Sequence, residues 1–335
     1  MTSDVLLIPA DTLDRSGVEI LAQRWTLALR HDGVAAQLVV PDARGGGVSH
    51  VHAGLRAASL RSATVVVLGL PSPAEFAQEV VDAIRDHDGR VILLWERSAH
   101  SMENSAAGLV RLEAIREAWL LNEFARGSAQ SILPSARIDV VSLAIPDVFF
   151  RAKHEAVTPY AAYLGRFSES KGAAVLARAW VDEVFPVAGL PLVMAGRGMS
   201  GGSTAETEIL EAEEQFPQAI RTVHLMAEES RARFLGSADL VIFPARTDYF
   251  PQALAEALAA GAPIAATDIT GHRPLARPGE TSFALDLSMS NLGCIVELAA
   301  ADDSSIRQLA VNGRCLAKST QSAEATSRRL VDLLS

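Results

Sequence analysis

Two cations follow a short apolar run in the second half of the chain. The run Ala161–Leu164 is typical of a buried strand, and a helix is predicted to begin near Gly172. Arg166 and Lys171 therefore lie on the loop at the carboxyl end of a strand, where open parallel sheets bind their ligands. Arg can bind a diphosphate through two parallel N–H groups, and Lys can neutralise it as a point charge. The pair indicates a diphosphate clamp, with two solvated loop charges as the alternative interpretation.

Two carboxylates lie around a predicted helix N-terminus further along the chain. Pro251 suits the first turn of a helix and Gly261 suits its end. In the first turn that Pro251 begins, the N–H groups of residues 252–254 would then be available to bind an anion. Asp248 precedes this helix and Glu256 lies inside it, and carboxylates accept sugar and ribose hydroxyls better than they approach phosphate. A capping Asp and a solvated helical Glu are the alternative interpretation.

Two glycine-containing turns could bring a ligand close to the backbone. The strand predicted over 192–195 runs directly into Gly196, Arg197 and Gly198. Gly17 precedes the first predicted helix and would leave room for a phosphate or a sugar at its N-terminus. Either turn is also compatible with a plain connection between a strand and a helix.

The elements that must position these residues alternate between strands and helices along the whole chain. Apolar runs such as 64–68 lack polar alternation, as expected of parallel strands that are buried on both faces. The alternation predicts an α/β protein with parallel sheets. Charged residues and a proline interrupt it over 151–159, which indicates a domain boundary. Two units of similar size then predict two doubly wound domains with a cleft between them.

The end of the first half carries the predictions that depend most on local pattern. A long helix is predicted over 109–125, because charged residues there share one face. Short strands are predicted over 130–133 and 140–143.

The composition excludes some classes of function. The 335 residues carry a net charge of −10, and no basic run is present that would indicate a nucleic-acid partner. No apolar run approaches the length of a membrane span, so no integral membrane segment is expected. Cys294 and Cys315 have no neighbouring ligand set and are predicted to be small buried thiols. This cysteine usage, with a first segment that resembles a strand rather than a signal peptide, indicates a cytoplasmic protein.

Taken in order, these motifs resemble the retaining glycosyltransferases of the GT-B fold, in particular family 4 (GT4). The family's G-R-x4-K-G motif is matched from Gly165 to Gly172, and its strand followed by G-x-G is matched at Gly196. Its E-x7-E pair corresponds to Asp248 and Glu256, and the segment after Glu256 follows the family's E-A-x3-G-x-P pattern. The segment 266–271 is similar to the family's A-[ST]-D-x-x-G. The resemblance is specific over 160–335 and looser over 1–150.

The resemblance implies two facing Rossmann-like domains with an interdomain cleft. It implies an acceptor-binding domain over 1–155, a nucleotide-sugar donor domain over 156–320 and a last helix over 321–335 that returns to the N-terminal domain. The donor would be a UDP- or GDP-sugar that acts as a co-substrate, and no cofactor is expected. The acceptor could be a small molecule, a glycan or a lipid-linked sugar.

The resemblance also implies a role for each candidate residue. Arg166 and Lys171 would stabilise the leaving diphosphate, and Asp248 would contact the donor sugar. Glu256 would hold the ribose. The remaining donor-binding positions would be Gly17, Gly196, Arg197, Phe250, Pro251, Gln252 and Ala253. No DxD motif is present, and the two cations make a metal ion unnecessary, so no metal site is expected.

Two departures from the family pattern leave alternatives open. The first acid is Asp248 rather than Glu, and the N-terminal half has no clear copy of the family's sugar-contacting histidine. His100 is the nearest candidate for that histidine. A degenerate protein that binds nucleotide sugar as a partner subunit is one alternative, and a GT-B nucleotide-sugar epimerase is another.

Overall fold

The computed structural model describes residues 4–9, 17–39, 48–59, 63–68, 74–95, 112, 115–155, 158–198, 203–225, 227–249, 251–301 and 304–335. The chain divides into two compact units. The first unit comprises Met1–Ala144 together with Ser322–Ser335, and the second comprises Ile145–Gln321.

Among the described residues, the first unit contains six strands and flanking helices. Its strands are β1 (Val5–Pro9), β2 (Ala36–Leu38), β3 (Thr64–Leu68), β4 (Val91–Leu94), β5 (Glu117–Leu120) and β6 (Arg137–Val140). Its helices before the second unit are α1 (Gly17–His31), α2 (Val48–Ser59), α3 (Ala74–Arg85) and α4 (Arg126–Ile132).

All strand pairs of the first sheet are parallel, in the order β2-β1-β3-β4-β5-β6. The central strands are apolar along their whole length and are buried, as in β1 and β3. Trp25 of α1 packs edge-to-face on Trp119 of β5, with ring centroids 5.7 Å apart. The strand order identifies a doubly wound sheet in which the order of adding strands reverses between β1 and β3.

The second unit, over the residues that the structure describes, contains six further strands and eight helices. Its strands are β7 (Ala161–Leu164), β8 (Leu192–Ala195), β9 (Ile220–Val223), β10 (Leu240–Phe243), β11 (Ile264–Thr267) and β12 (Phe283–Leu285). Its helices are α5 (Asp147–Phe150), α6 (Ala173–Ala179), α7 (Phe185–Ala188), α8 (Thr204–Gln215), α9 (Glu228–Gly236), α10 (Gln252–Ala260), α11 (Leu292–Ala300) and α12 (Ser304–Gln321). A π-helical turn, Trp180–Val184, joins α6 to α7.

The second sheet is also parallel, in the order β12-β11-β10-β7-β8-β9. The chain moves outward from β7 to β9, returns to pair β10 with β7, and then continues to the other edge. The order in which strands are added to the sheet therefore reverses between β7 and β10, and we call this the reversal point. Crevices outside the carboxyl ends of strands at such a point are the usual ligand sites of doubly wound sheets.

The last helix, α13 (Ala323–Leu334), belongs to the first unit. It packs against α1, and the hydroxyl of Ser327 donates to the carbonyl of Ala28 at 2.9 Å. The guanidinium of Arg90 donates to the carbonyls of Leu333 and Leu334 and so satisfies the end of the helix. Within the described residues, no helix combines the length and apolarity that crossing a membrane requires.

Three local predictions for the first half are wrong. Part of the helix predicted over 109–125 is the strand β5, because Ala118, Trp119 and Leu120 fill a buried position between β4 and β6. The strand predicted over 130–133 lies largely in α4, and β6 comes earlier than the strand predicted over 140–143. Tertiary context outweighed local preference in each case.

The unit boundary falls at Ala144 and Ile145, earlier than the boundary predicted at position 155. The reason is that α5 packs against α9 and α10, which places 145–150 in the second unit. The backbone N–H of Ile145 also donates to the carbonyl of Gln321 at 2.6 Å.

The prediction of buried thiols is wrong as well. Cys294 lies on α11 and Cys315 on α12, and both side chains are exposed. Each occupies the outward face of an amphipathic helix.

Candidate active site

The loops after β7, β8, β10 and β11 meet at the carboxyl edge of the second sheet. The N–H of Gly165 donates to the carbonyl of Ala195 at 3.0 Å, which joins the first two loops. The N–H groups of Arg246 and Thr247 donate to the carbonyl of Ser170 at 2.9 and 3.2 Å, which joins the loops after β7 and β10. The hydroxyl of Thr267 at the end of β11 donates to the carbonyl of Ala245 at 2.6 Å. The four loops therefore form one connected surface at the reversal point.

Two glycines allow these loops to approach closely. Gly172 has a left-handed backbone conformation with φ of 67°, and a Cβ there would lie 2.2 Å from the carbonyl oxygen of Pro244. A Cβ at Gly271 would lie 1.5 Å from the carbonyl oxygen of Asp248. Any side chain at either position would therefore displace the loop that carries Asp248.

Lys171 and Asp248 form an ion pair across this surface. The Nζ atom of Lys171 lies 2.8 Å from Oδ2 of Asp248, and the two side chains are 19% and 13% exposed. The sequence predicted that a cation from one loop and an acid from another would serve one ligand, and the structure brings these two side chains into contact. A partly buried ion pair at an open edge can exchange one partner for a charged ligand.

The environment of Asp248 favours its ionised form. Burial opposes the charge, but the polar side chain of His272 and the ammonium of Lys171 outweigh it, and the pKa of Asp248 is lowered to about 2. The carboxylate is therefore charged over the whole physiological range. It can accept hydroxyl hydrogen bonds from a ligand at any pH at which the protein works.

Sequence analysis did not single out His272, which lies next to this pair. The imidazole is 1% exposed, and its Nε2 atom lies 3.8 Å from Oδ2 of Asp248. Its Nδ1 atom lies 3.0 Å from the carbonyl oxygen of Thr267, and Phe243 packs against the ring in an edge-on orientation. The signal in the sequence was its place directly after the segment 266–271, at the carboxyl end of a buried strand.

Glu256 has a different kind of partner. It is buried on α10, and both of its carboxylate oxygens accept hydrogen bonds of 3.2 Å from the guanidinium of Arg231 on α9. Arg231 also lies 3.7 Å from Glu228 and 5.8 Å from the centroid of the Phe149 ring. The alternative of a solvated helical Glu is wrong, and Arg231 is a second residue that the sequence did not reveal.

The N-terminus of α10 has the features expected of an anion site. Pro251 is the residue that precedes the helix, and its own side chain makes no capping hydrogen bond; the first intrahelical bond runs from Ala255 N–H to the carbonyl of Pro251. Pro251 is buried, whereas Gln252 and Ala253 are partly exposed. The N–H groups of the first turn point along the helix axis toward the loop that carries Asp248, and such groups attract anions.

Arg166 and Arg197 contribute exposed side chains on anchored backbone. The hydroxyl of Tyr163 donates to the carbonyl of Arg166 at 2.7 Å, and Phe167 N–H donates to the carbonyl of Arg197 at 2.9 Å. The N–H of Gly196 donates to the carbonyl of Val223 at 3.3 Å. The backbone of both loops is therefore fixed by its own contacts, whereas both guanidinium groups lie at the surface.

Three further predicted site residues are not described at this edge of the second sheet. Gly17 is the first residue of α1 in the first unit, and His100 and Phe250 lie outside the described residues. Across the described ranges, no group of three or more His, Cys, Asp or Glu side chains is arranged to hold a metal ion.

Comparison with known proteins identifies the fold. Residues 158–298 match the family model described as glycosyl transferases group 1. No curated protein has a matching sequence. The structure is similar to that of a sucrose-phosphate synthase from Thermosynechococcus elongatus, with a TM-score of 0.78, 14% sequence identity, and coverage of 99% of this chain and 98% of that one.

Two further solved structures are similar over nearly their whole length. HepE of Anabaena, in complex with UDP-glucose, has a TM-score of 0.74 and 13% identity, with 99% of each chain covered. A glycosyltransferase from Rickettsia africae has a TM-score of 0.69 and 10% identity, with coverage of 99% of this chain and 98% of that one. The chain therefore has the GT-B fold, with two doubly wound domains. The motif-bearing loops lie inside the range that matches the family model.

Proposed function

We propose that the chain is a glycosyltransferase that moves a hexosyl group from a nucleotide sugar to an acceptor with retention of the anomeric configuration. The observation that supports this most is the Lys171–Asp248 ion pair of 2.8 Å at the reversal point of the second sheet. It combines a cation for the diphosphate with an acid for the sugar on loops that match the family model.

Lys171 and Arg166 stabilise the diphosphate as it leaves the sugar. Negative charge grows on the bridging oxygen in the transition state, and fixed cations stabilise that charge more than they stabilise the bound donor. Lys171 then exchanges Asp248 for the diphosphate, whereas Arg166 reaches the diphosphate from the surface of the same loop. No covalent intermediate is required, because the leaving group and the acceptor can share the face of an oxocarbenium-like sugar.

The two acids hold different parts of the donor. Asp248 accepts a hydrogen bond from a hydroxyl of the sugar. Glu256 accepts hydrogen bonds from the ribose hydroxyls through the lone pairs that its bonds to Arg231 leave unused. The first N–H groups of α10, those of Gln252 and Ala253, bind the phosphates. Pro251 precedes them, and the loop at Gly196 and Arg197 contributes further phosphate contacts. The backbone at Phe250 is proposed to extend this phosphate contact. Gly17 is proposed to leave room for a phosphate or the sugar, and His100 is the candidate for the histidine that contacts the sugar.

The donor is a UDP- or GDP-sugar, and catalysis needs no metal ion because the cations neutralise the diphosphate. The complex of HepE with UDP-glucose favours a uridine donor for the first assays. The acceptor is a small molecule, a glycan or a lipid-linked sugar. The protein works in the cytoplasm.

The alternative of a non-catalytic nucleotide-sugar-binding subunit is supported by the departure at Asp248, where the family pattern has Glu, and by the absence of a clear copy of its sugar-contacting histidine. A subunit of this kind would bind the donor and leave it intact, whereas an epimerase would convert the donor sugar without any acceptor.

A binding panel tests the proposal. UDP-, GDP-, ADP- and dTDP-glucose are titrated by thermal shift and calorimetry into the wild type and into Lys171→Met. Lys318→Met, which removes an exposed Lys from α12, is the matched control. We expect one donor to raise the melting temperature of the wild type and of Lys318→Met by several degrees, and that of Lys171→Met by much less. Failure of every donor to bind the wild type would contradict the proposal.

A further inference from the structure

A buried imidazole faces the acid that is proposed to hold the donor sugar. His272 is 1% exposed, and its Nε2 atom lies 3.8 Å from Oδ2 of Asp248. Considering the described part of the chain, this Nε2 atom has no hydrogen-bond partner. A buried polar atom without a partner costs free energy, so its presence beside a functional residue calls for an explanation.

The other side of the ring fixes which nitrogen carries the first proton. Nδ1 lies 3.0 Å from the carbonyl oxygen of Thr267, which can only accept, so Nδ1 carries hydrogen and donates. The Nε2 atom therefore faces Asp248 either as a lone pair, which repels the carboxylate, or as an N–H of the imidazolium, which attracts it. Asp248 is the charged group that the ion-pair distances place against this side of the ring, and Lys171 contacts that carboxylate in turn. The contact becomes favourable when the carboxylate draws an N–H toward it.

Close packing of two loops explains why the acid is an aspartate. The carbonyl of Asp248 lies so close to Gly271 that a Cβ there would be 1.5 Å away, which brings the backbone of Asp248 against the residue before His272. A glutamate would add one methylene between this backbone and the carboxylate, and so would change the place of the carboxylate relative to the imidazole. The shorter acid and the histidine thus fit one another.

We infer that His272 is a positioning residue that holds Asp248 in place when Lys171 transfers its contact from Asp248 to the diphosphate of the donor. In the structure Lys171 restrains Asp248 at 2.8 Å. Once the diphosphate takes the ammonium, the carboxylate moves the short distance toward Nε2 and keeps the orientation that the sugar hydroxyl requires. This inference rests on the proposed function, because it assigns the exchange of partners to donor binding.

Three substitutions separate the two sides of the imidazole. His272→Gln keeps a donor near the place of Nε2, His272→Asn keeps a donor near the place of Nδ1, and His272→Leu keeps neither. We expect turnover of UDP-glucose to fall by about 10-fold or more in His272→Asn and His272→Leu, the effect of losing one hydrogen bond to a charged group. His272→Gln should retain turnover within about 3-fold of the wild type, and all three should bind UDP as the wild type does. Equal losses in His272→Gln and His272→Asn would overturn the inference.

A double-mutant cycle with Asp248→Asn closes the test. Because His272 acts through Asp248, adding His272→Asn to Asp248→Asn should lower turnover by less than about 2-fold. An additive loss would overturn the inference.

The same four proteins are melted without ligand. The double variant should depart from the sum of the single shifts in melting temperature by about 2 °C or more, as expected for residues in direct contact. Additive shifts would overturn the inference even if the wild type bound every donor. Failure of the wild type to bind any donor would instead contradict the proposed function. The melting temperatures of the four proteins without donor would still test the contact between His272 and Asp248.

Discussion

Asp248 and Glu256 come from one sequence motif, yet the structure gives them opposite kinds of partner. Asp248 is paired with Lys171 through one contact of 2.8 Å between two loops at an open edge. Glu256 is held by both arms of Arg231 between two packed helices, α9 and α10. A single ammonium contact can pass to a diphosphate, whereas a buried guanidinium fork is fixed in place. The first pair therefore suits ligand exchange, and the second suits support of the helix that carries the anion site.

The largest expected effect is the loss of unfolding free energy when the pair of Arg231 and Glu256 is broken. Arg231→Met leaves the buried carboxylate of Glu256 without its main charge partner, and the free energy of unfolding should fall by about 3–5 kcal/mol. Arg277→Met removes an exposed Arg that pairs with Glu280 and should change it by less than about 1 kcal/mol. Urea denaturation measures both. A loss in Arg231→Met no greater than that in Arg277→Met would remove the contrast between the pairs.

The first pair should respond in turnover instead. Lys171→Met and Arg166→Met each remove a cation from the leaving diphosphate, and turnover should fall by about 100- to 1,000-fold. The free energy of unfolding should fall less than in Arg231→Met, because Asp248 keeps His272 and some access to water. Steady-state rates and urea denaturation on the same samples check this. Unchanged turnover in both variants would show that the diphosphate binds elsewhere.

The pH dependence of stability should also reflect Asp248. Its pKa is lowered from 3.8 to about 2 in the folded protein, so its charge stabilises the fold above pH 4 and that contribution is lost as the pH falls through 2. The shift corresponds to about 2 kcal/mol. Between pH 4 and pH 2 the wild type should therefore lose about 2 kcal/mol more unfolding free energy than Asp248→Asn. Parallel curves in urea titrations at each pH would contradict the assigned environment.

Ligand affinity should separate the two acids. Asp248→Ala should leave UDP affinity within about 2-fold of the wild type, whereas Glu256→Gln should weaken UDP and UDP-glucose alike by about 10-fold, the effect of one hydrogen bond to a charged group. Calorimetric titration of both ligands decides this. An equal loss of UDP affinity in the two variants would show that the division between sugar and ribose is wrong.

The smallest expected effect is that of a chelator. Turnover in excess EDTA should stay within about 2-fold of that without it, because Lys171 and Arg166 supply the positive charge that a metal ion supplies in other transferases. Loss of activity that Mg²⁺ or Mn²⁺ restores would assign the diphosphate to a metal site instead.

Much of the second unit could be predicted from the sequence because its signals are local. The strands predicted over 161–164 and 192–195 are continuous apolar runs and are β7 and β8, and α10 lies between Pro251 and Gly261 as predicted. The place of Lys171 at the carboxyl end of a strand followed from the rule that open parallel sheets bind ligands there, whereas its direct contact with Asp248 was not predicted.

The predictions failed where distant contacts decide the outcome. The residues of β5 suit a helix, and only their place between β4 and β6 makes them a strand. Arg231 and His272 lie on elements separated in sequence from the acids they contact, and neither belongs to a motif that was recognised in advance. The exposure of Cys294 and Cys315 depended on which helix faces pack inward.

Consumption of UDP-glucose by the purified chain, followed by proton NMR, tests the central claim most directly. The account predicts slow release of glucose that appears first as the α-anomer, the configuration of the donor, with a rate that falls by about 100-fold or more in Lys171→Met and is unchanged in Lys318→Met. Release of the β-anomer first would contradict retention. A rate that is the same in Lys171→Met as in the wild type would contradict the assignment of the diphosphate site to Lys171.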